Sequence, residues 1–217
     1  DVVGAVTNTP VFKISYRPEG VHNVQYADVA EFCEVEGIPT YVMQADESMK
    51  SEALHAALGQ WSPDCFFALG WYHIIPSSIR EIAPVLGVHY SLLPDYSGGA
   101  PLVWALINGE AEVGATFFQL DGGIDTGPII GQERVAVKPR DTIGELYDRV
   151  GHASLKLLRR IFPRLARNEI HPQPQVEDGR RIFPQRHPED GVIDWQETAG
   201  RVDRFIRAQT RPYPGAF

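Results

Sequence analysis

The sequence predicts an α/β fold, a mostly parallel sheet with helices on both faces. Three observations predict it. Short apolar, β-branched runs recur along the chain. Amphipathic helical stretches separate them, and that alternation is the pattern of a parallel sheet covered by helices. The 217 residues, 43% of them hydrophobic, are enough for one sizeable core and a small appendage. In such sheets, ligands bind in the crevice at the carboxyl ends of the strands. Residues at strand ends therefore carry the functional argument.

The elements follow in order. "DVVGAVT" (1–7) reads as a buried strand. Residues 8–25 hold prolines and scattered polar groups and read as a long loop. "YADVAEFCEVEG" (26–37) is helical, with Ala27, Ala30 and Cys33 on one face and Gly37 as its stop. "IPTYVM" is a strand. Residues 48–60 form a helix that buries Leu54, Ala57 and Leu58. "DCFFALG" is a strand, Pro76 opens a short helix, and "VLGVHY" is a strand again. Residues 100–108 are helical, and "GATFFQL" and "PIIGQERVAV" are strands. Thr142-x-x-Glu145 is a capping box. It opens a long helix with Ile143, Leu146, Val150, Ala153, Leu157 and Ile161 on one stripe. Residues 168–192, rich in Pro, Arg and Gln, read as a connector, and "TAGRVDRFIRAQT" as a final short helix.

Composition narrows the function. The net charge is −8. A protein that grips a nucleic-acid backbone usually carries a basic stripe. The densest basic stretches, around Arg159–Arg167 and Arg180–Arg186, read as a solvated helix face and a solvated loop. No apolar run is long enough to span a membrane. Cys33 and Cys65 lie far apart in apolar contexts, which suits buried reduced thiols and a cytoplasmic setting. No Walker loop, GxSxG, HExxH or GxGxxG after a strand is present. The histidines are scattered, so no metal site is expected; His22, His55, His152, His171 and His187 read as surface residues.

Two polar groups stand out. His89 ends an apolar strand and precedes the turn "SLLP". Asp125 sits in "LDGGIDTGPI", a glycine-rich loop between two strands. Glycine lets a backbone turn tightly and approach a ligand closely. An imidazole can take or give a proton near neutral pH, and a carboxylate beside it stabilises the imidazolium. Such a pair suits proton transfer at a carbonyl. The competing reading is a structural histidine and a turn-forming aspartate. Ser91 lacks the glycine-flanked elbow of a nucleophile. His73, in "GWYHIIP", follows a strand and is a candidate crevice residue; Trp71 and Tyr72 fit either a flat ligand or the core.

The stretch "HYSLLPDYSGGAPLVWALINGEAEVGATFFQLDGGIDTGPII" resembles the folate-dependent formyltransferase family. "RHPEDGVIDW" and "RPYPGAF" are similar to its connector to a C-terminal module. The resemblance implies a Rossmann-like domain that uses 10-formyltetrahydrofolate as formyl donor. It implies that His89 and Asp125 are the catalytic pair. Trp71, Tyr72, His73, Ile74 and Ile75 would line the folate pocket. Leu120, Asp121, Gly122 and Gly123 would form its other wall, with Leu92 and Pro94 shaping the site. It further implies that 1–167 is the catalytic domain without the family's first strand and helix. Residues 168–217 would be the connector and the start of the C-terminal module, so that the chain is truncated at both ends.

Two departures stand out. Gly87 occupies the place where transferases carry an Asn that donates a hydrogen bond to the oxyanion. Ser97 occupies a place where a basic residue is common. The hydrolase branch of the family also lacks the Asn and is active. The tRNA-modifying members resemble each other in a basic insertion that corresponds to residues 8–25, where this chain has only Lys13 and Arg17. A small amine, of the class of a nucleotide-linked amino sugar, is the expected acceptor. Methionyl-tRNA, a hydrolase reaction and a non-catalytic folate-binding module are the alternatives. A homodimer is left open.

Overall fold

The computed structural model describes the chain except residues 15, 16, 24, 25 and 177. It falls into two compact units, Asp1–Val85 and Leu86–Phe217.

In the first unit, β1 (Ala5–Asn8) pairs in parallel with a later strand. Between them come β2 (Val11–Ile14), β3 (Arg17–His22) and helix α1 (Val29–Val35); β4 (Thr40–Met43) is the partner, in the register Ala5 to Thr40. The Asp28 side chain caps α1 by accepting from Glu31 N. Gly37, at φ +67°, turns the chain out of it, as its sequence position predicts. The stretch read as a long loop contains an antiparallel hairpin instead, β2 with β3. Pro10, Pro18 and Gly20 hide it from a propensity reading. An isolated two-stranded ribbon has only edge strands, where proline is tolerated. Phe12 from β2 is buried. Helix α2 (Glu52–Trp61), capped by Ser51, buries Leu54 and Leu58; β5 (Phe66–Ala68) and α3 (Ser77–Arg80) follow. The Trp61 ring lies against Gly4, where a Cβ would come within 2.4 Å of it.

The second unit begins within β6 (Val85–His89). A two-residue strand, β7 (Ser97–Gly98), and helix α4 (Pro101–Asn108) follow. Then come β8 (Glu112–Gln119) and β9 (Ile129–Ala136). β6 pairs with β8, and β8 with β9, both antiparallel. The α/β class holds, with β1 and β4 parallel, while β8 runs antiparallel to both β6 and β9. The apolar pattern encodes burial, not strand direction, and β8 returns to β9 through a loop that contains no helix.

Helix α5 (Ile143–Ala166) carries the capping box, with Thr142 and Glu145 satisfying each other's backbone N–H. It packs on β8 and β9, closely at Gly131, where a Cβ would meet Ile161 at 3.0 Å. The buried stripe is Ile143, Leu146, Val150, Leu157 and Ile161. At the middle turn Ser154 is buried rather than Ala153. Its hydroxyl donates to Gly151 O at 2.8 Å, so the polar group carries no penalty.

The stretch read as a connector carries a strand. Its strand β10 (Ile182–Phe183) pairs in parallel with β7. Helix α6 (Ala199–Gln209) then packs against α4. α4, α5 and β8 share one core around Leu102, Leu106, Val113, Leu146 and Val150.

Candidate active site

His89 is the last residue of β6 and lies opposite Thr116 of β8. Residues 90–96 then loop back over it. Thr116 pins this loop: its hydroxyl donates to Ser91 O at 2.7 Å and accepts from Leu93 N at 3.1 Å. Gln132 adds a bond to Leu93 O at 2.8 Å. Ser91 donates its own hydroxyl to Asp95 O at 2.8 Å, which occupies it structurally. The loop ends at Tyr96, which is left-handed at φ +56°. Its phenol, pushed up to about 12 by burial and by its bond to Glu110, is held at 2.6 Å from that carboxylate.

His89 Nε2 donates to the Tyr96 carbonyl at 2.8 Å. A carbonyl oxygen only accepts, so Nε2 carries the proton and Nδ1 holds the lone pair. Nδ1 faces Asp125 Oδ2 at 3.7 Å; the two side chains are 12% and 22% exposed. One nitrogen is thus satisfied by backbone, as in a structural histidine, and the other faces a carboxylate. The tautomer is set by the Tyr96 carbonyl and not by Asp125. At 3.7 Å the carboxylate makes no hydrogen bond to a neutral ring. It attracts the ring once Nδ1 has taken a proton. The pair can therefore act as a base whose protonated form is stabilised in place.

Asp125 lies in the loop between β8 and β9, with Leu120, Asp121, Gly122 and Gly123. Asp121 accepts from Thr126 Oγ1 at 2.5 Å and from Gly123 N at 3.0 Å, which closes the tip. Gly127 allows the loop to close on itself, since a Cβ there would fall 1.7 Å from Gln119 O. Asp125 is itself left-handed at φ +52°, and its Oδ2 accepts from Gly98 N at 2.8 Å. Pro94 accepts from the Ser97 hydroxyl at 3.0 Å in the loop after His89. Leu92 packs onto Gly114 of β8 and borders a small cavity with Tyr90, Tyr96 and Glu110.

Sequence reasoning missed several contributors: the Tyr96 carbonyl, Gly98 N–H, and two connector side chains. Gln175 Nε2 donates to Asp125 O at 2.8 Å, and Arg180 Nη2 to the same oxygen at 2.7 Å. Arg180 Nε also donates to Ser97 Oγ at 3.2 Å, so a guanidinium stands at the position where the resemblance expected a basic side chain.

In the first unit, residues 71–75 follow β5. The rings of Tyr72, Phe12, His73 and Trp71 form a chain in that order, with neighbouring centroids 5.3–5.6 Å apart. Trp71 Nε1 and His73 Nε2 are buried with no hydrogen-bond partner among the described residues. Burial pushes the His73 imidazole down, which keeps it neutral at neutral pH. Ile74 is 86% exposed and Ile75 half-buried. Buried polar atoms with no partner call for an explanation, and a ligand with donors and acceptors is one. Cys33 and Cys65 are free thiols, and burial pushes the Cys65 thiol up. No described group of three His, Cys, Asp or Glu side chains is disposed to hold a metal ion. No described helix is long and apolar enough to cross a membrane.

Solved structures that share this fold include the following three. HypX from Aquifex aeolicus, in complex with tetrahydrofolic acid, superposes at TM-score 0.72 and 19% identity over all of this chain. The chain spans 36% of HypX. A sugar N-formyltransferase from Shewanella sp. matches at TM-score 0.73 and 16% identity, covering 100% of this chain and 92% of that one. A methionyl-tRNA formyltransferase from Clostridium thermocellum matches at 0.66 and 21%, covering 98% and 86%. A family model described as formyl transferase matches residues 11–162, and one described as its C-terminal domain matches residues 186–217. The chain belongs to the formyl transferase family.

Proposed function

We propose that this chain transfers a formyl group from 10-formyltetrahydrofolate to the amine of a nucleotide-linked amino sugar. His89 is the general base and Asp125 its electrostatic partner. The observation that carries the reading is the free Nδ1 of His89, 3.7 Å from Asp125 Oδ2, with Nε2 committed to a carbonyl.

When bound, the donor supplies an activated formyl carbon. His89 Nδ1 takes the proton that the attacking amine must lose, and Asp125 holds the resulting imidazolium. The same imidazolium can return that proton to the departing nitrogen. Gly87 offers no side chain for the oxyanion, so a backbone N–H, a water or the His89 imidazolium is left to fill that role. Trp71, Tyr72, His73, Ile74 and Ile75 are assigned to the folate on their own chemistry: an aromatic surface with two unpaired polar atoms. Leu120, Asp121, Gly122 and Gly123 are assigned to backbone contacts with it, and Leu92 and Pro94 to shaping the site.

The sugar acceptor is supported by the charge of −8 and by the likeness to a sugar N-formyltransferase over nearly the whole of both chains. The two family-model matches support a catalytic part within 1–167 and a connector and C-terminal start in 168–217. The free thiols support a cytoplasmic setting. One observation favours a second reading. Gly87 is shared in kind with the hydrolase branch, which needs no amine. Tetrahydrofolate release from 10-formyltetrahydrofolate, measured with and without nucleotide-linked amino sugars and methionyl-tRNA, tests both. Release that depends on the amino sugar supports the proposal. Equal release without any amine points to hydrolysis, and no release in any mixture contradicts both.

A further inference from the structure

The connector does more than join two parts. Gln173 exchanges both backbone hydrogen bonds with Ile129, at 2.8 Å each. Gln175 Nε2 then donates to the carbonyls of Asp125 and Gly127, at 2.8 and 2.7 Å. Arg180 Nη2 donates to those of Asp125 and Ile124, at 2.7 and 3.2 Å. The Asp125 carbonyl therefore has both lone pairs filled by connector side chains. This matters because Asp125 is left-handed, a conformation that L residues avoid unless their surroundings impose it.

The same connector fixes the other end of Asp125. β10 pairs with β7, where Ser97 N donates to Arg181 O at 3.1 Å and Gly99 N to Phe183 O at 2.9 Å. Gly98 sits between them against the Phe183 carbonyl, where a Cβ would fall 2.3 Å from that oxygen. Its N–H is the donor that holds Asp125 Oδ2. Arg180 links the two ends, bonding the loop carbonyls on one side and Ser97 Oγ on the other.

We infer that Arg180, assisted by Gln175, is a positioning residue that sets the separation of His89 and Asp125. It contacts neither side chain of the pair, and acts through the backbone of Asp125 and the strand that carries Gly98. A basic residue at the Ser97 position is made unnecessary, because the connector brings a guanidinium to the same hydroxyl.

The inference rests on the catalytic reading of the pair, and the test separates the two. The crystal structure of Arg180→Met in the full chain is expected to show Nδ1 and Oδ2 moving apart past the ~4 Å limit of an ion pair. Arg180→Lys, which restores a donor, should recover part of the parent separation. In tetrahydrofolate release, Arg180→Met should lower kcat about 10-fold or more, with the KM for 10-formyltetrahydrofolate changed less than about 3-fold. Added to Asp125→Asn, it should cost almost nothing further. If Arg180→Met does not fold, Gln175→Glu, of the same shape but without the two N–H donors, carries the same expectations. An unchanged separation, or an equal loss in both backgrounds, overturns the positioning role. If Asp125→Asn leaves turnover intact, the catalytic reading falls and the positioning role falls with it. If Asp125→Asn abolishes turnover and Arg180→Met spares it, only the positioning role falls.

Discussion

The two nitrogens of the His89 ring face different partners. Nε2 anchors the imidazole to Tyr96 O, and Nδ1 faces the Asp125 carboxylate; we propose that Nδ1 is the proton acceptor. His89→Ala and Asp125→Ala should each lower turnover on the order of 10²-fold or more. Donor binding, measured by fluorescence titration with a folate analogue, should survive both, since the proposal assigns it to other residues. A His89→Ala protein with near-parent turnover contradicts the assignment. Gly87 lies two residues before His89, on the same face of β6, and is buried opposite Phe118 of β8. Gly87→Asn is expected to leave turnover level or lower it, because the added amide displaces whatever already serves the oxyanion. A rise toward 10²-fold would show instead that the donor is missing in the parent.

The elements hold these residues by contacts that differ in how visible they are in sequence. The α5 capping box and stripe were legible because both are periodic patterns. The nearness of His89 and Asp125 was expected because one ends an apolar strand and the other sits in a glycine-rich loop, and the two side chains do face each other. The β2–β3 hairpin was masked by Pro10, Pro18 and Gly20, and β7 and β10 are too short to leave a pattern. Gln175 and Arg180 bond backbone carbonyls, and such contacts have no sequence signature. Gly127 carries a sharp expectation. With Gln119 O 1.7 Å from a Cβ, Gly127→Ala should destabilise the protein by about 2 kcal/mol or more, seen as a lower midpoint in denaturant. Asp141, just before α5, carries another. Its buried carboxylate is held by Arg149, with Lys138 N donating at 2.6 Å, and that guanidinium keeps the carboxyl below the usual range. A depressed carboxyl pKa contributes stability above its unfolded value of ~3.9, which is lost as pH falls through the folded value. Asp141→Asn should therefore be less stable than the parent at pH 7, and the gap should close as the pH falls below about 4. A gap that stays constant down to acid pH contradicts the ion-pair account.

Across the whole chain, the two family matches make it a formyl transferase, and the net charge of −8 fits the small-amine acceptor we propose. Substrate choice is the part least legible in the residues, because an acceptor is recognised by shape and charge spread over many of them. The antiparallel course of β6, β8 and β9 was also invisible in sequence, and the chain brings His89 Nδ1 within 3.7 Å of Asp125 Oδ2. The most direct measurement is tetrahydrofolate release from 10-formyltetrahydrofolate by the parent chain, with and without a panel of nucleotide-linked amino sugars, and the same assay on His89→Ala. The account expects release that requires an amino sugar and falls about 10²-fold or more in the variant. Release that ignores the amine, or that His89→Ala leaves unchanged, would contradict it.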